Sequence, residues 1–271
     1  MHGEKWVSYP LSLKFPWRFS STYPFRGRGI VSRLLFVANR FCIDRLFLHR
    51  ETSPLPFENV AWFWPSPGRS TKRFYGYRVA AGHVVTYIKV ASGDEMARLA
   101  KEVENVKKIC SRSPKSFKVP QCLSIQTIKE FLVAEFEPLP EGAIDIPDSP
   151  EVMDKVRAAR EEIVSFGYAH GDYLSHNIKI ANGMLWIIDW EEMKDAATAL
   201  LDEISFNTAF LHFHRGKSIR HVCKWFISAY LSDSKMRNDA LAALHSMAER
   251  KVGLGGKLLE CLEGDMTNGT I

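Results

Sequence analysis

The stretch HGDYLSHNIKIANGMLWIIDWEE, His170–Glu192, sets polar side chains at short intervals between apolar runs. NIKI (Asn177–Ile180) and MLWIID (Met184–Asp189) read as two short strands. Asn182-Gly183 lies between them, a pair that takes positive φ cheaply and so closes a tight hairpin. Asp172 and Asn177 fall in the loop before the first strand, and Asp189 ends the second. An Asp that accepts a proton from a hydroxyl belongs in such a loop, held but accessible. The amide oxygen of Asn177 and the carboxylate of Asp189 are hard oxygen donors suited to Mg²⁺, and a hairpin between them brings both to one ion. This layout fits phosphoryl transfer, in which a protein positions groups and neutralises charge.

Upstream, β-branched and aromatic runs alternate with turn residues. NVAWFW (59–64), RFYGYRVA (73–80), HVVTYIKVA (83–91), CLSIQTI (122–128) and EFLVAEF (130–136) predict five antiparallel strands. In GDEMARLAKEVENVKKI, Met96, Leu99, Val103, Val106 and Ile109 share one face, which predicts a helix over 93–109. Lys89 lies on the strand before that helix, and a half-buried lysine needs a carboxylate partner to keep its charge. Glu102 lies on a turn that can face the strand, with Glu104 as the alternative. SPGRSTK (66–72) reads as a polar turn. EPLPEGA (137–143), with two prolines and a glycine, reads as a break. Beyond it the pattern is helical over 149–166, about 197–214, 219–231 and 236–251, interrupted by the 170–192 stretch. These patterns divide the chain into an extension (1–56), a strand-rich lobe (57–138) and a helical lobe (139–271).

Composition excludes collagenous, repetitive and wholly disordered classes. The 271 residues are 46% hydrophobic and 25% charged, which is ordinary for a chain with real cores. The five cysteines are odd in number and scattered, without CxxC spacing, so neither a disulfide framework nor a zinc site is expected. No apolar run has the length of a membrane span, and the expected setting is reducing and cytoplasmic. Net charge is +5, and the excess lies at the front: residues 1–50 hold Lys5, Lys14 and seven arginines against Glu4 and Asp44. Within that segment, residues 29–50 read as a basic amphipathic helix. Such a helix packs on its own domain or lies on an anionic surface at the inner face of a membrane. TSPLP (52–56) reads as the linker that follows it.

The motifs HGD-x4-N and LWIIDWEE, followed by Asp202-Glu203, resemble the protein-kinase-like superfamily in its small-molecule branch. That branch includes aminoglycoside phosphotransferases, choline kinases and lipopolysaccharide core-sugar kinases, and the likeness covers about residues 57–231. The resemblance implies an α+β, bilobal fold with an antiparallel N-lobe sheet carrying one helix and a mostly helical C-lobe. It implies ATP and Mg²⁺ as cofactors. Asp172 would be the catalytic base, and Asn177 and Asp189 the magnesium ligands. Lys89 would hold the α/β-phosphates and pair with Glu102. The backbone over Glu135, Phe136 and Glu137 to Pro138 would meet the adenine. His170 would brace the catalytic loop, and Asp202 would anchor the helical lobe. The chain departs from the pattern in having no G-x-G-x-x-G loop, in Trp190-Glu191 after Asp189, and in having no A-P-E element. The last two argue against a regulated protein kinase.

The expected activity is therefore phosphotransfer to a hydroxyl of a small molecule or glycan, with lipopolysaccharide components favoured by the basic front segment. A nucleotide-binding pseudokinase or scaffold is the alternative. A nucleic-acid binder is disfavoured, because no recognised nucleic-acid motif is present and the charge is modest. His212, His214 and His221 stand among Arg215, Lys217 and Arg220; they read as a solvated basic turn rather than a metal site, with reception of an anionic substrate as the alternative.

Overall fold

The alternation along 73–91 folds as a hairpin whose two faces differ. The computed structural model describes residues 7–8, 60–63, 72–80, 83–196, 199–249 and 254–267. The 29–50 helix, the TSPLP linker and most of SPGRSTK lie outside these residues. Contacts divide the chain into two compact units, residues 1–107 with 120–144, and residues 108–119 with 145–271.

The first unit is a six-stranded sheet in the order β1-β2-β3-β4-β7-β6, with every pairing antiparallel. Its strands are β1 (Val7–Ser8), β2 (Val60–Phe63), β3 (Arg73–Ala80), β4 (His83–Ser92), β6 (Cys122–Ile128) and β7 (Phe131–Phe136). β1 is the strand that sequence reading passed over, since two residues leave no periodicity. Register puts Phe74 opposite Val90 and Val90 opposite Val133. These residues, with Val60 and Ile88, form an apolar core on one face. The other face carries Arg73, Tyr75 and Tyr77 opposite Ala91, Lys89 and Tyr87. Helix α1 (Glu95–Ser111) follows β4, with acidic Glu95 in its first turn and Lys108 in its last, as the helix dipole favours.

The second unit is built on helices α2 (Pro150–Ser165), α3 (Ala199–Ala209), α4 (Ile219–Phe226), α5 (Ser234–Glu249) and α6 (Leu254–Thr267). Ser149 caps α2, its hydroxyl accepting from Val152 N, and Pro150 occupies the first turn, where no N–H is needed. π-helical turns, Phe210–His214 and Ile227–Leu231, extend α3 and α4. α6 was not expected from the sequence, because Gly255, Gly256 and Gly264 depress helix propensity. Packing explains Gly255: a Cβ there would lie 2.7 Å from Ala248 N and from Met247 C on α5. Leu201, Ile204, Val222, Phe226, Leu244 and Leu258 are the centre of this unit's core.

Between α2 and α3 the predicted hairpin forms as β10 (Ile178–Ala181) and β11 (Met184–Ile187), with Asn182 at φ 50° and Gly183 at φ 75° in its turn. β5 (Phe117–Lys118) pairs parallel to β11, and β8 (Ile144–Asp145) completes a four-stranded sheet, β5-β11-β10-β8. A small ladder joins β9 (Tyr168–Ala169) to β12 (Lys194–Asp195). The chain is thus α+β, with an antiparallel N-terminal sheet and a mainly helical C-terminal part, the content expected of the protein-kinase-like fold. No helix among the described residues is long and apolar enough to cross a membrane.

Candidate active site

In the first unit, Lys89 on β4 is buried, and its Nζ donates to Glu102 Oε1 of α1 at 2.6 Å. Glu102, not the exposed Glu104, is the partner. Sequence reasoning missed a second cation on it: Arg73 Nη2 donates to Glu102 Oε2 at 3.2 Å, and Arg73 Nη1 lies 3.7 Å from Glu95. Glu102 is 2% exposed, so its charge is sustained by two buried cations. Two aromatic rings flank the Lys89 ammonium, with centroids at 5.8 Å (Tyr87) and 5.7 Å (Phe136). Arg73 has no motif to betray it. It becomes visible only once register places it on the Lys89 face.

The 135–138 segment ends β7. The Glu135 carboxylate accepts from Arg78 at 2.6 Å, Phe136 is buried, and the Glu137 N–H donates to Gln121 O at 2.9 Å. The Glu137 N–H is therefore already engaged within the unit.

In the second unit, the 170–177 loop is held from below by one carboxylate. Asp202 on α3 is 1% exposed and accepts from the backbone N–H of His170 (2.5 Å) and of Gly171 (2.8 Å). Gly171 sits at φ +83°, and a Cβ there would lie 1.9 Å from Glu192 O, so no other residue fits. The fully buried His170 ring ties the loop to the second hairpin strand. Its Nδ1 accepts from Asp172 N at 3.2 Å, which leaves Nε2 to donate to Ile188 O at 3.0 Å. Ile188 N in turn donates to Asn177 O at 3.0 Å. Both backbone groups of Ile188 are thus fastened to the loop, and Asp189 follows directly.

Asn177 is 2% exposed, and its Nδ2 donates to Asp172 O (3.0 Å) and to Asp172 Oδ2 (2.9 Å). With both amide hydrogens spent on Asp172, Oδ1 is the atom left to meet a cation. Asp189 stands in the left-handed region (φ 62°, ψ 63°), uncommon for a residue with a Cβ and typical of constrained functional positions. An amide oxygen plus a carboxylate on adjoining, mutually fastened segments is a donor set that suits Mg²⁺. Behind the loop, burial pushes the Tyr173 phenol well above its usual range, reinforced by the Asp202 charge, and its hydroxyl donates to Val156 O at 2.7 Å.

The histidines of the basic turn make protein contacts. His212 Nδ1 bonds with Lys217 O and His214 Nε2 with Ser175 Oγ, both at 2.8 Å. Among the described residues no cluster of three His, Cys, Asp or Glu is arranged to hold a metal. Cys110, Cys122, Cys223 and Cys261 are free thiols.

No family model matches the chain, and no curated protein matches it. Among solved structures it is similar to a chain in the co-crystal structure of WbdD and the kinase inhibitor LY294002. The identity is 15% and the TM-score 0.44, over 69% of this chain and 45% of that one. The match therefore spans less than half of that chain's length.

Proposed function

We propose that the chain is an ATP- and Mg²⁺-dependent phosphotransferase whose acceptor is a hydroxyl of a small molecule or sugar. The observation that carries this reading is the amide of Asn177 clamped onto Asp172, on a loop stitched to Asp189 through Ile188. Asp172 would orient the acceptor hydroxyl and take its proton. The Asn177 bond to Oδ2 keeps one oxygen in place and leaves Oδ1 for that role. Asn177 Oδ1 and the Asp189 carboxylate would hold Mg²⁺, which neutralises phosphate charge when bound. Lys89, sustained as an ammonium by Glu102, would hold the nucleotide phosphates. Within this reading a glycan acceptor, such as a lipopolysaccharide component, is favoured by the basic residues 1–50.

The test is Asp172→Asn, assayed with labelled Mg-ATP against a panel of sugars and amino alcohols. The variant is expected to bind Mg-ATP as the wild type does and to lose transfer by at least about a hundredfold. Wild-type transfer rates in the variant, or a wild-type chain whose melting temperature no Mg-nucleotide raises, would overturn the reading.

A further inference from the structure

The second unit contains a half-open cavity of about 290 Å³ that the proposed chemistry does not use. It lies between α2, α3 and the π turn that extends α3. One wall is a row of aromatic rings: Tyr173 meets Phe206 at 5.9 Å, and Phe206 stacks on Phe210 at 5.4 Å. Trp225 and Leu211 add apolar surface. Met153, Val156 and Asn207 also line it, together with three cations. Arg157, Arg160 and Arg215 line the cavity, Glu203 is the single acidic lining residue among the described residues, and the Arg215 guanidinium lies 5.6 Å from the Phe210 ring centroid.

Each arginine is anchored by part of its donor set only. Arg215 spends Nε and Nη2 on Asp148, Arg157 spends Nη2 on Asp154, and Arg160 spends Nη1 on Glu203. Asp148 and Asp154 do not line the cavity. Each guanidinium thus keeps N–H donors for a ligand, and the carboxylates that pair with Arg157 and Arg215 stand outside the cavity. Glu203 is further occupied by the Tyr230 hydroxyl, which also accepts from Asn207, so its charge is engaged within the wall. Guanidiniums beside an aromatic wall recognise an anion carried on an apolar ring. π-helical turns are rare and recur at functional sites, and this one supplies Phe210 and Leu211 to the lining.

We propose that this cavity is a binding site for a small free anion, a phosphate monoester or carboxylate on an apolar ring, separate from the Asp172 site. It adjoins the 170–177 loop at two points. Tyr173, the residue after Asp172, forms part of its wall. His214 stacks on Phe210 at 4.6 Å and holds Ser175 Oγ.

Phenyl phosphate is the probe, titrated calorimetrically into the full chain without nucleotide, so the outcome is independent of whether the chain transfers phosphate. The expected result is saturable one-to-one binding, at least about tenfold tighter than that of inorganic phosphate or of phenol. Arg157→Gln/Arg215→Gln removes two exposed ion pairs of little structural weight and is expected to weaken binding at least about tenfold. Leu211→Trp, which fills the cavity without altering charge, is expected to abolish it. No saturable binding by the wild type, undiminished binding by the double variant, or retained binding by Leu211→Trp overturns the proposal.

Discussion

Replacing Asp202 by asparagine tests how the 170–177 loop is held. The carboxylate takes two backbone N–H groups, His170 N and Gly171 N, from a position 1% exposed to solvent. A hydrogen bond to a charged group contributes about 1.5–3 kcal/mol. Asparagine has the same shape, yet only one of its two terminal atoms can accept. One N–H would face an amide N–H₂ instead, and the surviving bond would lose its charge. The expected loss is about 2–3 kcal/mol for Asp202→Asn. For Asp202→Ala, where both N–H groups are stranded, it is about 3–6 kcal/mol. Urea unfolding of the three proteins measures this as ordered shifts of the midpoint at unchanged slope. An asparagine variant within about 0.5 kcal/mol of the wild type would refute the reasoning, because it would mean the two donors do not depend on that carboxylate.

Three other outcomes follow from the same geometry. Gly171→Ala is expected to cost at least about 3 kcal/mol, from positive φ and from a methyl group placed inside the Glu192 carbonyl, and a variant that melts like wild type would contradict the close approach. Glu102→Leu strands two buried cations and is expected to cost about 3–5 kcal/mol, clearly more than Arg73→Met; the reverse order in chemical unfolding would show that Glu102 is not the hub. Burial opposes the charge of Glu162, yet the N–H groups of Lys115 and Ser116 at 2.8 and 2.7 Å hold its pKa below the ordinary value near 4.5. A depressed carboxylate contributes stability that is present above that ordinary value and lost as pH falls through the folded one. Glu162→Gln should therefore flatten the fall in melting temperature between about pH 6 and about pH 3, and an unchanged slope would count against it.

Strands were legible where side chains declare two faces. RFYGYRVA and CLSIQTI begin and end where β3 and β6 do, since β-branched and aromatic enrichment and flanking turn residues mark them. The hairpin at Asn182-Gly183 was legible because positive φ leaves a residue signature. Two-residue strands such as β5 and β8 carry no period, and they exist only because β10 and β11 offer edges to pair with. α6 was hidden by its glycines, of which Gly255 serves a tertiary purpose, close approach to α5. At the site, loop spacing exposed Asp172, Asn177 and Asp189, whereas the roles of His170 and Asp202 came from resemblance alone. Arg215 was legible as part of a basic patch, whereas Arg73, Arg157 and Arg160 escaped because their meaning depends on register and on which helix faces meet, and neither is written in local spacing.

The sharing of Glu102 has a consequence for what Lys89 is free to do. A lysine with a sole counter-ion cannot turn toward an incoming anion without stranding a negative charge in an apolar interior. Here Arg73 keeps hold of the same carboxylate from the neighbouring strand. Were the Lys89 ammonium drawn toward an anion, Glu102 would keep Arg73 beside it, and Arg73 would still bridge Glu102 and Glu95 of α1.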